Sequence, residues 1–326
     1  MATAEQIKAL LKSHADRDDQ RFYSIALQVA AKEARKGHHN VATDLKLAIE
    51  KSQKSLRPVT STKPTPLTQP LKGELKGLLE LTPTGVRKSE LVLSDEVRER
   101  LEHVLLEQRQ KAKLSQFGLL PRRKLLFTGP PGTGKTFSAA VLAAELKLPL
   151  YTVVLDSLIT RFMGETAAKL RLIFDHIQQT RAVYLFDEFD AIGTQRGAAN
   201  DVGEIRRVLN SFLMFVEQDR SESLILAATN HPELLDRALY RRFDDIIEFQ
   251  KPGPEQVKQL MSNRLVAFDT SSLDWEVLLF ESEGLSAAEA TRACEDAAKE
   301  AVLHHDAQIN TALMKKAIQR RQAGRR

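Results

Sequence analysis

The chain has 326 residues, a length that suits about two to three ordinary domains. Its 42% hydrophobic and 28% charged residues are those of a globular protein; no apolar run is long enough to span a bilayer, and the N-terminus lacks the apolar core of a secretion signal, so a cytoplasmic protein without membrane insertion is expected. The net charge is +5, and the single cysteine, Cys294, excludes an intrachain disulfide and reads as a buried residue of an Ala-rich helix.

Residues 1–55 read as an N-terminal helical docking domain. Ile7, Leu10 and Leu11 form one short apolar stripe, Phe22, Ile25, Ala26 and Val29 a second, and Val41, Leu45, Ala48 and Ile49 a third. Such helices make a small bundle without a catalytic constellation, suited to docking a protein client. Residues 56–90 read as a Pro/Thr-rich linker, in which Pro58, Pro64, Pro66 and Pro70 alternate with Ser and Thr. Order resumes weakly over Glu74 to Leu81 and firmly at Leu91, with Ser94 capping a charged helix over Asp95 to Lys113.

From there to residue 251 strands and helices alternate. Strands are expected at Lys124–Thr128, Leu150–Leu155, Val183–Phe186, Leu224–Ala228 and Ile246–Phe249. This alternation predicts an α/β domain, a parallel sheet flanked by helices, with ligands beyond the carboxyl ends of the strands. After Pro252 the strands stop. Helices over Pro254–Phe268, Asp274–Glu281, Ser286–His304 and Ala307–Arg321 predict a small all-α lid domain, residues 252–326. Its basic tail, Lys315, Lys316, Arg320, Arg321, Arg325 and Arg326, has no interleaved aromatics and reads as a solvated, frayed end, although such charge also suits nucleic acid.

The chemistry is carried by Gly129-Pro130-Pro131-Gly132-Thr133-Gly134-Lys135-Thr136, between an expected strand and a run of helix formers. In that setting the pattern is a phosphate-binding P-loop. Glycines let backbone N–H groups approach an oligophosphate, Lys135 brings a point charge to the β- and γ-phosphates, and the Thr136 hydroxyl suits Mg²⁺. The next strand but one ends in Asp187 and Glu188. Asp187 suits a direct or water-mediated partner of Mg²⁺ opposite Thr136, and Glu188 suits a group that positions the attacking water; Asp190 is a weaker candidate. ATP and Mg²⁺ are the expected ligands.

From Leu91 onward the chain resembles an AAA ATPase module of the AAA+ superfamily. GPPGTGKT is similar to its Walker A form, YLFDEFDAI to its Walker B form, and Ala227-Ala228-Thr229-Asn230 to its sensor-1 strand. The resemblance implies that Asn230 holds the water or the γ-phosphate. The stretch LLDRALYRRFD is similar to the second region of homology, which implies a ring of copies, usually a hexamer, with Arg242, and less securely Arg241, reaching a neighbour's ATP; the two residues that usually separate these arginines are missing. Phe162-Met163-Gly164 resembles the pore loop of katanin, spastin and the ESCRT-disassembling ATPase, which grips an extended polypeptide. Gly284 and Ala288 fall where the family lines the adenine or ribose; Ala287 replaces the usual glycine and Glu289 the usual aspartate.

These features predict Mg²⁺-dependent ATP hydrolysis that remodels, unfolds or disassembles a protein client threaded through a ring. A nucleic-acid-dependent ATPase, of loader or helicase-like type, is the alternative. It rests on the basic tail and the pI near 9.2.

Overall fold

The computed structural model of the chain describes residues 71, 73–158, 163–189, 201–235, 237–304 and 306–323. The expected docking bundle, most of the expected linker, Phe162 and Asp190 lie outside the described residues. The described chain opens with helix α1 (Leu75–Leu78) and strand β1 (Leu79–Thr82). Helices α2 (Asp95–Arg109) and α3 (Lys111–Gln116) lead into strand β2 (Lys124–Thr128). Then come α4 (Lys135–Leu146), β3 (Leu150–Val153), α5 (Leu155–Leu158), α6 (Met163–Gln179), β4 (Val183–Phe186), α7 (Asp201–Gln218), β5 (Leu224–Thr229), α8 (Arg237–Tyr240) and β6 (Asp245–Glu248). Four helices close the chain: α9 (Pro254–Arg264), α10 (Trp275–Glu281), α11 (Ala287–His304) and α12 (Thr311–Ala323).

The sheet has the order β1-β3-β4-β5-β2-β6. Strand β2 pairs in parallel with β5 and β6, and β4 pairs in parallel with β3 and β5. Every residue of β2, β4 and β5 is buried, as a central parallel strand covered by helices requires. Side chains still alternate between the layers. Leu125 and Phe127 of β2 join Val183, Leu185, Leu224 and Leu226 against Val104 of α2 and Leu142 of α4. Leu126 joins Tyr184, Phe186, Ile225 and Ala227 against Phe174 of α6 and Phe212 of α7. The C-terminal helices have a core of their own around Met261, Leu278, Cys294, Ala297, Met314 and Ile318.

Three expectations need correction. Residues 79–82, assigned to the linker, form the edge strand β1, antiparallel to β3, with Leu79 opposite Val153 and Thr82 opposite Leu150. The strand has only four residues; Leu79-Glu80-Leu81-Thr82 alternates apolar and polar residues, but Leu79 is buried and Leu81 is 51% exposed, and so short a run does not stand out from a linker. The charged helix expected over Asp95 to Lys113 breaks at Gln110, whose φ of -101° and ψ of 23° leave the helical region. The basic tail is not frayed over its described part. Leu313, Met314, Ala317 and Ile318 bury one face of α12. On the other face Lys315 pairs with Glu281, Lys316 and Arg320 with Glu300, and Arg321 with Asp296.

Candidate functional site

The loop between β2 and α4 begins where the sheet is tightest. Gly129 has φ +131°, and a Cβ there would stand 2.0 Å from the carbonyl oxygen of Phe249, at the end of β6. No side chain fits at that contact. The loop then closes on itself, with the Thr133 hydroxyl donating to the Pro130 carbonyl at 2.8 Å. Thr133 is thus committed to the loop through its side chain, and it faces a ligand with its backbone.

Lys135 is only 6% exposed. Its ammonium donates to the carbonyls of Gly129 (2.7 Å) and Pro130 (2.8 Å) and to Oδ1 of Asn230 (2.8 Å). These three oxygens hold the ammonium group within the loop, where a lysine suits the phosphates of an anionic ligand. Asn230 follows β5 directly, beside β2, which is why a residue so distant in sequence reaches the loop.

The neighbouring strand supplies the acids. The Thr136 hydroxyl donates to Oδ2 of Asp187 at 2.6 Å. The Glu188 N–H donates to Oδ1 of Asp187 at 3.0 Å. Glu188 has φ 50°, in the left-handed region that a glutamate seldom adopts, a strain of about 1 kcal/mol. This turn takes the chain off β4 so that Asp187 and Glu188 both line the cavity, while the next residue, Phe189, returns to the core and donates its N–H to the Ala228 carbonyl at 2.8 Å. A hydroxyl and a carboxylate side by side, next to an oligophosphate cradle, are the hard oxygen donors that Mg²⁺ prefers. Among the described residues no three of His, Cys, Asp or Glu cluster as a metal site, so such an ion would complete its shell from phosphate and water.

The cavity around these groups has a volume of about 910 Å³, large enough for a nucleotide. Residues 131–136 line it, with Asp187, Glu188 and Asn230 at one end. Its other walls were not foreseen. One is the strap between β1 and α2, including Gly85, Leu91 and Val92; another is the α9 side, with Leu260, Asn263 and Val266. Both also present polar or charged residues, among them Arg87, Glu90, Asn263 and Arg264, but in no motif that a sequence pattern would expose. The lid touches the loop directly, through the Ala288 N–H, which donates to the Gly132 carbonyl at 3.0 Å. Of the two lid residues singled out, Ala288 lines the cavity and Gly284 does not; Gly284 has φ +74° in the turn before α11, and its carbonyl accepts from Lys251. Glu289, in place of an aspartate, closes a capping box. Its Oε2 accepts from the N–H and hydroxyl of Ser286, both at 2.7 Å, and Ser286 Oγ accepts from the Glu289 N–H.

Arg241 and Arg242 follow α8 and do not line this cavity. Arg241 is exposed, whereas Arg242 pairs with Glu217. Met163 and Gly164 begin α6, directly after the undescribed Phe162. Cys294 is buried in the lid, and burial pushes its thiol up to about 12, which leaves it an inert core residue. Among the described residues no helix is long and apolar enough to cross a membrane.

Residues 125–251 match the family described as ATPase family associated with various cellular activities (AAA). An uncharacterized AAA family ATPase, y4kL of Sinorhizobium fredii, is 33% identical over 99% of this chain and 98% of its own length. The chain belongs to the AAA ATPase family. ATP hydrolysis is therefore its activity. Two further relatives are ATP-dependent zinc metalloproteases FtsH. That of Bdellovibrio bacteriovorus is 30% identical over 78% of this chain and 44% of its own length. That of Rubrobacter xylanophilus is 33% identical over 65% of this chain and 34% of its own length. This chain thus spans less than half the length of these two AAA relatives.

Proposed function

We propose that this AAA ATPase couples ATP hydrolysis to the remodelling of a protein client, and that it works as a ring of copies. The observation that carries the reading is the convergence of Lys135–Asn230 and Thr136–Asp187 with Glu188 in one cavity roofed by the lid. Thr136 and Asp187 would hold Mg²⁺, which when bound neutralises charge on the transferring phosphoryl group. Lys135 and the backbone of residues 131–136 bind the phosphates. Glu188 accepts a proton from the attacking water, and Asn230, tied to Lys135, orients the γ-phosphate end. Ala288 and the α9 side enclose the rest of the nucleotide and keep bulk water out. Arg242, with Arg241 beside it, reaches the nucleotide of the next copy.

A protein client is favoured because the FtsH relatives are ATP-dependent metalloproteases, which act on proteins. By their resemblance to a pore loop, Phe162 and the Met163-Gly164 start of α6 would grip an extended chain, and residues 1–55 would dock the client. The nucleic-acid reading rests on the basic tail, whose described cations pair with acids of the lid. The test is Phe162→Ala in the full chain with a tagged, unfolded protein as client. ATP binding should persist while client-stimulated turnover disappears; client stimulation equal to that of the wild type refutes the pore assignment.

A further inference from the structure

We propose that Glu217 is a positioning residue for Arg242, holding its guanidinium ready for the nucleotide of an adjoining copy; this rests on the ring reading above. Glu217 lies in the last turn of α7, and its carboxylate Oε1 contacts Nη1 of Arg242. Both side chains are partly open to solvent, 54% for Glu217 and 38% for Arg242. At the same time Nε of Arg242 is buried and has no hydrogen-bond partner among the described residues. Nε is therefore packed, and Nη1 is held by the carboxylate.

The backbone is held as firmly. Leu239 and Phe243, on either side of the arginine pair, are buried in the same core cluster as Phe212 and Val216 of α7. The Arg242 N–H donates to the Leu239 carbonyl at 3.0 Å, and the Tyr240 hydroxyl donates to the Pro232 carbonyl at 2.9 Å. One apolar cluster thus sets the distance between the helix bearing the carboxylate and the turn bearing the arginine. Arg241, exposed and without an ion pair among the described residues, has no such support. An arginine side chain loses much rotamer freedom when it engages a phosphate, and a group already held in place loses less. A buried, unpartnered Nε is a standing cost to the subunit, of the kind found where geometry serves function. This asymmetry assigns the trans contact to Arg242 and makes Glu217 the residue that aims it.

Full-length Glu217→Ala, Glu217→Gln, Arg242→Ala and the Glu217→Ala/Arg242→Ala double variant are compared by steady-state ATPase at saturating protein, with residual rates read by single-turnover phosphate release. Glu217→Ala should lower kcat by about three- to fivefold, the rate equivalent of one partly exposed charged pair, with KM for ATP unchanged. Glu217→Gln keeps an oxygen acceptor for Nη1 and should retain most of the rate. In the Arg242→Ala background, Glu217→Ala should add nothing. Wild-type kcat in Glu217→Ala, beside a crippled Arg242→Ala, overturns the role of Glu217 alone. An equal loss in both backgrounds overturns it too, because Glu217 would then act through something else. Wild-type kcat in Arg242→Ala removes the trans arginine itself, and the proposal with it.

Discussion

Gly132→Ala tests whether the lid and the P-loop act as one binding surface. Gly132 has φ +74°, and a Cβ there would meet Ser286 Oγ at 2.8 Å and the Ala288 Cβ at 3.2 Å. The alanine carries a left-handed strain of about 1–2 kcal/mol and, with the lid closed, an overpacking cost of about 1–3 kcal/mol. The second part vanishes if the lid lifts away, which breaks the bond from the Ala288 N–H to the Gly132 carbonyl. Without nucleotide the protein therefore feels mainly the strain, a fall in Tm of about 2–8 °C. With nucleotide the lid has to close; the strain is present in both states, so only the overpacking cost of about 1–3 kcal/mol falls on binding and weakens ATP affinity by about 5- to 150-fold. The assay is a calorimetric titration with ATP beside a thermal melt of the nucleotide-free protein. An affinity within about threefold of the wild type would refute the coupling of lid and loop.

Two predictions concern stability. Asp219 is fully enclosed and pairs with Arg123, whose side chain is 14% exposed; Arg123→Ala leaves an uncompensated buried carboxylate and should destabilise the fold by about 3–5 kcal/mol, read by denaturant unfolding, with a loss under about 1 kcal/mol contradicting the account. His176 is held below the ordinary imidazole range by burial, and its Nδ1 meets the Tyr184 hydroxyl at 2.7 Å. The unfolded chain binds this proton more readily than the folded one, so the contribution of His176 is complete above the unfolded pKa of about 6.5 and is lost as the pH falls below it. Stability measured from pH 7.5 down to about 5 should decline more steeply in the wild type than in His176→Gln, and parallel curves would contradict this.

The site was more legible in the sequence than its enclosure. Lys135, Thr136, Asp187 and Glu188 were singled out because phosphate and metal chemistry demands particular residue types next to strand ends, and Asn230 through the resemblance to a sensor-1 strand; the parallel sheet brings those ends together. The walls at Leu91, Val92 and Leu260 are apolar positions without a type requirement, and only the packing of the strap and the lid turns them inward. Gly284 and Ala288 sit close together in one turn and helix start, yet only Ala288 faces the cavity, a difference of orientation that adjacency in sequence does not carry. The tail shows the reverse case. Its six cations read as a solvated, frayed end, whereas the acids that pair with the described ones lie on α10 and α11, 16 to 34 residues earlier.

The most direct test of ATP-driven action at this site is the turnover of Glu188→Gln. Its side chain keeps size and hydrogen bonding but cannot take the proton of the attacking water. The account predicts ATP affinity close to that of the wild type and a kcat lower by about 100-fold or more. Turnover near the wild-type rate, with binding intact, would contradict it and move the water-activating role to another residue.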